Sequence, residues 1–275
     1  MPKYAITHPG RAHRDEALAL GLAIATGLLS INAPVYRREP IDEELDDPEI
    51  LVFDVGGRHE PGRLNFDHHQ MPRGTRECAL SLLARHMGVE EILADRPWYQ
   101  ATVIIDSQGP GIMARELGLD KLPPALVSPF EMAILDDLSR VEEEICLGLK
   151  ELVSRTMEKR LADARALRDR GLWLDDNHRL MDVGGVRALV VEDDDPRGLG
   201  ELRERLGGDV ALSLNHDDRG EGWSIYRYDD DPRVDLSRLD GDPLVHFAHK
   251  SGFIAKTRTL IPVESVLSLV KRALV

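Results

Sequence analysis

The chain has few of the features that mark secreted or membrane-spanning proteins. Only two of its 275 residues are cysteine, Cys78 and Cys146, and each lies alone inside an apolar, helix-like pattern. A disulfide framework or a zinc-thiolate site is therefore not expected. The longest apolar stretch, 18–29, is too short to cross a bilayer, and the N-terminus lacks a basic region followed by an apolar run. We expect a cytoplasmic protein with no membrane partner.

Basic residues are also in short supply. There are 35 Lys and Arg against 49 Asp and Glu, which gives a net charge of -14. This balance disfavours a protein that holds long nucleic acid through its overall charge. A short nucleotide needs only a local phosphate clamp, so short oligonucleotides fit the composition better than long ones.

In the N-terminal half, short apolar runs that end in polar loops alternate with helical patterns. Strands are predicted at 4–7, 50–53 and 63–66, and a helix is predicted from about Asp15. Residues 98–105 fit a helix or a strand, and we favour the helix. This alternation predicts an α/β fold with a doubly wound, mainly parallel sheet, which binds ligands beyond the carboxyl ends of its strands.

The pattern changes after residue 128. Apolar residues at three- and four-residue steps between 130 and 171 predict one or two amphipathic helices. Three later strands predict a smaller mixed α+β domain, the last two forming a hairpin: 186–191, 210–214 and 223–228. We therefore divide the chain into a larger domain at 1–128, a helical connection at 129–172 and a smaller domain at 173–275.

Imidazole and carboxylate groups follow the first predicted strand. His8, His13, Asp15 and Glu16 lie within one short loop and the start of the next helix. Such a set suits manganese, iron, cobalt or zinc, and the absence of cysteine from this loop disfavours ions that prefer soft ligands. Taken alone, the loop has a simpler interpretation, in which Asp15 and Glu16 only complement the positive end of a helix dipole.

Further candidate ligands follow the next two strands. Asp54 precedes two glycines that allow a ligand to approach closely, so its carboxylate could bridge two metals; an ordinary turn aspartate is the alternative. We predict that His68 binds metal, that His69 contacts a phosphate oxygen or a neighbouring ligand, and that Asp67 orients an imidazole. A solvated surface cluster is the alternative for these three residues.

Asp106 completes a set of ligands large enough for two divalent ions, although alone it could be a helix-terminal acid. Two such ions can share a water and polarise the oxygens of a phosphate, so hydrolysis of a phosphate ester is the natural use.

A later segment combines cations, hydroxyls and a glycine, which together can bind phosphate; a solvated loop is the alternative. The candidate phosphate-binding residues of this segment are His249, Ser251, Gly252, Lys256 and Arg258. Arg37 and Arg38 could join Lys256 and Arg258 in a local basic rim.

Taken in order, these segments resemble the melanocyte proliferating gene family, which is related to the DHH phosphoesterase superfamily. The family elements are matched by Thr7-His8, Gly10, His13-Arg14-Asp15-Glu16-Ala17-Leu18, Asp54-Val55-Gly56-Gly57 and Phe66-Asp67-His68-His69-Gln70. Two further elements are similar, at Ile105-Asp106 with Gly109 and at His249 to Phe253. The resemblance covers most of the chain.

The resemblance implies a hydrolase with two metal ions at a cleft between two domains, 1–128 being catalytic and 173–275 binding substrate. Manganese is the expected metal, with magnesium, cobalt or zinc as alternatives. By this resemblance Lys256 and Arg258 contact the substrate phosphate. It also implies two ligand sets that share Asp54: His8, His13 and Asp54 for one ion, and Asp15, Asp54, His68 and Asp106 for the other.

The resemblance further implies a phosphodiesterase that acts as a 3′-to-5′ exonuclease on short RNA. A nucleotide phosphatase or pyrophosphatase is one alternative, and a non-catalytic regulator that binds nucleotide or metal is another. The chain departs from the family where Ile254 leads directly to Ala255-Lys256-Thr257-Arg258, because the family usually has Gly-Gly-Asn before Lys-Thr-Arg. The shorter loop affects substrate contact more than the metal site. A homodimer and the choice between RNA and DNA are left open.

Overall fold

The structure is a computed structural model that describes residues 1–121 and 128–275. Contacts divide the chain into two compact units, residues 1–165 and residues 166–275. Each unit contains its own sheet, so the fold is mixed α/β as expected. Among the described residues, no helix combines the length and hydropathy needed to cross a membrane.

The first unit is built on a mainly parallel five-stranded sheet in the order β2-β1-β3-β5-β4. The pairs β1/β2, β1/β3 and β3/β5 are parallel, and β4/β5 is antiparallel. This confirms the parallel arrangement predicted from the sequence. The strands are β1 Tyr4–Thr7, β2 Val35–Arg37, β3 Ile50–Phe53, β4 His59–Glu60 and β5 Asn65–Phe66.

One strand of this sheet is shorter than predicted. The strands expected at 4–7 and 50–53 are present, but the one expected at 63–66 begins at Asn65. Residues Pro61–Arg63 form a 3-10 turn, and Leu64 has a left-handed backbone with φ 57°. Neither conformation is extended, so the strand begins only at Asn65.

Helices cover both faces of the first sheet. Within β3, Leu51 and Phe53 pack into the large core beneath α1, α3 and α5, while Val52 packs on the opposite face with Leu45 of α2. Alternate side chains of a strand point to opposite faces, so a fully apolar strand is buried on both sides. The helices of this part are α1 Arg14–Ala25, α2 Asp42–Asp46, α3 Ala79–His86, α4 Glu90–Leu93, α5 Pro97–Gln108 and α6 Pro110–Glu116.

Two later helices follow, and the second of them continues past residue 165, where the first unit ends. The helix favoured for 98–105 is confirmed by α5, and the apolar pattern between 130 and 171 forms two helices, α7 Pro129–Ser139 and α8 Leu147–Asp176. Helices α1 and α8 touch backbone to backbone, since a Cβ added at Gly21 would collide with the Val153 carbonyl oxygen. Only glycine permits this approach.

The second unit contains a six-stranded sheet in the order β10-β11-β9-β8-β7-β6. Only β7 and β8 are parallel, and α9 (Leu199–Arg205) connects them. The predicted strand at 186–191 and the predicted hairpin are confirmed, because β8 and β9 pair antiparallel. Helix α10 (Val263–Ala273) covers the opposite face from α9. The strands are β6 Arg179–Val183, β7 Val186–Val191, β8 Val210–His216, β9 Trp223–Arg227, β10 Val245–Ala248 and β11 Ile254–Thr257.

Candidate metal centre

The carboxyl ends of three neighbouring strands deliver the candidate ligands. His8 follows β1, Asp54 follows β3, and His68 lies two residues after β5. Because β1, β3 and β5 run parallel and adjacent, these side chains meet at one edge of the sheet. Helix α1 adds Asp15 in its first turn, and α5 adds Asp106 near its end.

Three groups of these side chains are close enough to hold a metal ion. Within each group, one ligand atom from every residue lies within 4.8 Å of the others. Asp54 belongs to all three groups, which is the geometry of a bridging carboxylate. The groups are His8, His13 and Asp54; Asp54, His68 and His69; and Asp15, Asp54, His68 and Asp106.

Asp54 is buried between two imidazoles. Its Oδ2 lies 3.3 Å from His8 Nε2 and its Oδ1 lies 3.3 Å from His68 Nε2. Neither oxygen forms a hydrogen bond within the described residues. The residue adopts a left-handed backbone with φ 61°, a conformation that aspartate and asparagine tolerate better than most residues. This backbone directs the carboxylate into the cluster.

Three carboxylates crowd into the buried side of the cluster. Burial, together with the negative charges of Asp54 and Asp106, raises the pKa of Asp15 well above its usual range. Burial also raises the pKa of Asp54. Burial opposes ionisation of Asp106 as well, but the imidazole of His68, whose Nε2 lies 3.0 Å from Oδ2, outweighs this effect and lowers the pKa of Asp106. Carboxylates packed this closely away from water require positive charge among them, and divalent cations supply it.

Two half-buried histidines, His8 and His68, present ring nitrogens to these carboxylates. His8 Nδ1 lies 2.8 Å from the Pro9 carbonyl, which can only accept, so Nδ1 carries the hydrogen and Nε2 faces Asp54. Burial would lower the pKa of His8, but Glu16 outweighs burial and raises it to about 9. Burial likewise opposes charge on His68, whereas Asp106 and Asp54 raise its pKa to about 10. The donor set of imidazole and carboxylate therefore fits a cation site.

Asp67 and His69 form a separate contact at the rim. Asp67 Oδ2 accepts a hydrogen bond from the Gly57 amide at 2.6 Å, and its Oδ1 accepts from His69 Nδ1 at 2.6 Å. Burial would raise the pKa of Asp67, but these hydrogen bonds lower it to about 2. The carboxylate fixes the ring of His69, whose side chain is 58% exposed. Asp67 is placed to orient an imidazole, and that imidazole belongs to His69.

The sequence grouped Glu16 with the candidate ligands of the first loop, but it did not predict that Glu16 joins His8 to Arg37. Its Oε2 lies 2.8 Å from His8 Nε2, and its Oε1 lies 3.0 Å from Arg37 Nη2. The His13 amide donates to the same carboxylate at 3.2 Å. The sequence signal for the contact with the His13 amide was the position of Glu16 three residues after His13. At this spacing a glutamate in the first turn of a helix accepts a hydrogen bond from the backbone amide of the N-cap residue.

Arg37 lies behind the cluster. It is the last residue of β2, it is 1% exposed, and its guanidinium also donates to the Leu138 carbonyl. This side chain supports Glu16 and offers no exposed surface to a substrate phosphate. The sequence could not show that Arg37 is buried, because the contacts that bury it come from α1 and α7, which lie far from it along the chain. It therefore suggested a basic rim.

Two cavities border the cluster. The larger, of about 420 Å³, is lined by Glu39, Asp54 and Asp67 together with histidines, and is here called the Glu39 cavity. The smaller, of about 270 Å³, is lined by Arg73 and Asp106 together with histidines, and is here called the Arg73 cavity. Both include His13 and His69. A ligand bound at the cluster can therefore extend in two directions.

The predicted phosphate-binding segment lies in the second unit, around the turn between β10 and β11. The Ser251 amide donates to His249 Nδ1 at 3.1 Å. Gly252 has a left-handed backbone with φ 66°, and a Cβ there would collide with Asp235. These contacts explain the Ser-Gly pair structurally, and phosphate binding at this turn stays a prediction.

Two cations follow on β11 and directly after it. Lys256 forms an ion pair with the buried carboxylate of Asp217. Arg258 is exposed, and its Nε donates to the Pro243 carbonyl at 3.0 Å. Both side chains are therefore already engaged within the second unit, and their contact with a substrate phosphate stays a prediction.

Comparison with known proteins identifies the N-terminal segment. Residues 4–79 match the model MYG1_exonuc, described as an uncharacterised protein family, UPF0160. Over this segment the chain is similar to the MYG1 family. The MYG1 protein of Chlamydia trachomatis serovar D is 39% identical over 71 residues, which are 26% of this chain and 24% of the relative. The chain thus matches about a quarter of the relative's length.

The family match confirms the resemblance over residues 4–79 of this chain, and these residues include most of the candidate ligands. His8, His13, Asp15, Asp54 and His68 lie within residues 4–79. Asp106 and the segment around His249 lie outside the matched residues. Their roles therefore depend on this chain's own geometry.

Two solved structures align over nearly the whole chain at low similarity. A pGpG-specific phosphodiesterase, PggH from Vibrio cholerae, has a TM-score of 0.34 and 11% identity, covering 98% of this chain and 100% of its own. A protein described as a family II inorganic pyrophosphatase from Methanococcus jannaschii has a TM-score of 0.24 and 12% identity, covering 98% of each chain. Scores this low do not establish a common fold, and neither activity is carried over to this chain.

Proposed function

We propose that this chain, which is similar to the MYG1 family over residues 4–79, is a metal-dependent phosphoesterase that hydrolyses phosphodiester bonds with two divalent ions. The observation that carries the proposal is the position of Asp54, whose two oxygens face different imidazoles and which belongs to every candidate ligand group. His8 and His13 would join Asp54 around one ion. The second ion would be held by the deeper group: Asp15, Asp54, His68 and Asp106.

The chemistry of the donors suggests the metal. The groups contain only imidazole and carboxylate side chains, which suit manganese, with magnesium, cobalt or zinc as alternatives. Two bound ions would lower the pKa of a shared water and offset charge on the phosphate oxygens. Asp54 would keep both groups at a fixed separation, because its buried backbone holds the carboxylate in one orientation.

His69 would act on the substrate directly. Its hydrogen bond to Asp67 raises the pKa of the imidazole, which favours the protonated ring. A protonated imidazole is a strong donor to a phosphate oxygen. Since Asp67 occupies Nδ1, the other ring nitrogen is available for this contact. Asp67 is thus a positioning residue for His69.

For the substrate we propose short RNA, degraded as by a 3′-to-5′ exonuclease. The support is the net charge of -14, which disfavours long nucleic acid, together with cavities of nucleotide size on both sides of the cluster. A pyrophosphatase or nucleotide phosphatase would use the same groups on a smaller substrate. A regulator that binds without hydrolysis is the remaining alternative.

The test compares wild type with Asp54→Asn and with Asp95→Asn, an exposed aspartate outside the cluster that serves as the control. Each protein is assayed with manganese on labelled short RNA, short DNA, pyrophosphate and a generic phosphodiester. We expect mononucleotide release from RNA by wild type and Asp95→Asn, and a loss of at least about a hundredfold in Asp54→Asn, since residues that merely orient ligands already cost 10- to 100-fold. Turnover of pyrophosphate alone would change the substrate. Bound manganese without any turnover would favour the regulator.

A further inference from the structure

The two cavities beside the metal centre differ in charge. Among the described residues that line the Glu39 cavity there is no Lys or Arg, and Glu39 adds negative charge. Arg73 is the only Lys or Arg among the described residues that line the Arg73 cavity. Two carboxylates also line it, but Asp106 faces His68 in the metal centre and Glu77 is engaged by Arg85. An anionic part of a substrate would therefore be attracted to one side of the centre and repelled from the other.

Arg73 sits in a turn that is tethered to the metal centre. The Thr75 amide donates to the Pro72 carbonyl at 3.1 Å, and Gly74 occupies the third turn position with φ 93°, as a type II turn requires. Gln108 Nε2 donates to the Gly74 carbonyl at 3.0 Å. Gln108 lies on α5, the helix that also carries Asp106. The turn is thus fixed relative to a candidate metal ligand.

The guanidinium of Arg73 has no partner in the part of the chain that the structure describes. No hydrogen bond or ion pair involves it there, and the residue is exposed. Arg76, three residues along the same loop, is paired with Glu116. An arginine that faces a cavity at a candidate catalytic centre without a carboxylate partner is available to a ligand.

We propose that Arg73 is a specificity-determining residue that binds a second phosphate of the substrate, the one next to the phosphate at the metal centre. This inference rests on the proposed function. A guanidinium can hold phosphate through two parallel hydrogen bonds, which fixes both position and direction. Arg73 therefore orients the substrate so that the second phosphate of the substrate lies in the Arg73 cavity. The substrate class is short oligonucleotides that carry a terminal phosphate.

Binding tests this inference without turnover. The probes are dinucleotides joined by an uncharged methylphosphonate, bearing a 5′-phosphate, a 3′-phosphate or only hydroxyl termini. Calorimetry with manganese present compares wild type, Arg73→Gln and the control Arg76→Gln. We expect wild type and Arg76→Gln to bind one phosphorylated probe about ten- to a hundredfold tighter than the hydroxyl probe, because a hydrogen bond between charged groups contributes that much to affinity. In Arg73→Gln this ratio should fall to near one.

The outcomes separate this inference from the proposed function. An unchanged ratio in Arg73→Gln, or no preference for either phosphate in wild type, overturns the role of Arg73 even if the chain hydrolyses RNA. An Arg73-dependent ratio supports it even if no substrate is turned over. With turnover, kcat/KM for phosphorylated over hydroxyl-terminated dinucleotides should fall in Arg73→Gln, mainly through KM. An equal loss on both substrates would indicate a structural role and overturn the proposal.

Discussion

Glu16 joins Arg37 to His8 in the first unit, with Oε1 3.0 Å from Arg37 Nη2 and Oε2 2.8 Å from His8 Nε2. Glu16 and Arg37 are each 1% exposed. The contact ties the end of β2 to the loop after β1. A carboxylate this deeply buried depends on its cation, because the loss of one partner leaves an uncompensated charge in a low dielectric.

The first prediction concerns this ion pair. We expect Arg37→Gln to lower the free energy of unfolding by about 3–5 kcal/mol, since Glu16 would stay buried without its cation. Urea unfolding measures the change. The control is Arg140→Gln, which removes an exposed pair with Asp137 and should cost at most about 1 kcal/mol. A loss no larger than the control would show that the pair does not stabilise the unit.

The second prediction concerns the cost of keeping three carboxylates together. In EDTA, Asp15→Asn should raise the unfolding temperature, because an amide avoids the free-energy cost that burial and the charges of Asp54 and Asp106 impose on the carboxyl, and its side-chain oxygen can still accept from the Ala79 amide. Added manganese should then stabilise Asp15→Asn less than wild type, since a ligand is lost. Differential scanning calorimetry with and without manganese measures both effects. Asp95→Asn should match wild type in each condition, and destabilisation of Asp15→Asn in EDTA would contradict the argument.

The third prediction is a pH dependence. The guanidinium of Arg38 binds Glu44 at 2.8 and 2.6 Å and lowers the carboxyl pKa from 4.5 to about 2. The folded-state pKa lies below the unfolded value, so the stabilisation is complete above about pH 4.5 and is lost as the pH falls towards 2. Glu44→Gln should therefore destabilise the protein by about 1–3 kcal/mol at pH 6 and by much less near pH 2.5.

Urea unfolding at several pH values checks this dependence. The control is Glu49→Gln, because Glu49 and its partner Lys3 are largely exposed, so the pair should contribute little at any pH. A difference between wild type and Glu44→Gln that stays constant from pH 6 to pH 2.5 would refute the assignment.

The fourth prediction uses two glycines that both lie in helices. Gly21→Ala should destabilise the first unit by about 1–3 kcal/mol, because the new methyl meets the Val153 carbonyl of α8. Gly148→Ala, at the start of α8, meets nothing within 4 Å and should stabilise by about 0.5–1 kcal/mol. Thermal unfolding distinguishes the two. Equal effects would mean that α1 and α8 can separate at little cost.

Much of the candidate site could be predicted because the cause is local. His8 and Asp54 each stand directly after a short apolar run, and parallel strands bring such positions to one edge of a sheet. Helix α5 also followed from its spacing, as did the β8–β9 hairpin from its turn residues.

The remainder depends on contacts between distant residues. Arg37 is buried by Glu16 and by the Leu138 carbonyl, 21 and 101 residues away, and nothing in its neighbours along the chain indicates this. The shortened strand at Asn65 depends on the left-handed backbone of Leu64, which leucine rarely adopts. Arg73 was not singled out because a turn arginine is ordinary until a cavity is seen beside it.

The left-handed backbone of Asp54 restricts how this site can change during evolution. At φ 61°, most side chains other than asparagine and glycine would strain the turn, so few replacements leave the fold undisturbed. Asparagine keeps the shape and removes the charge. A lineage that abandons hydrolysis while keeping a folded, ligand-binding protein would therefore be expected to acquire asparagine here, and that substitution in a relative would mark a degenerate enzyme.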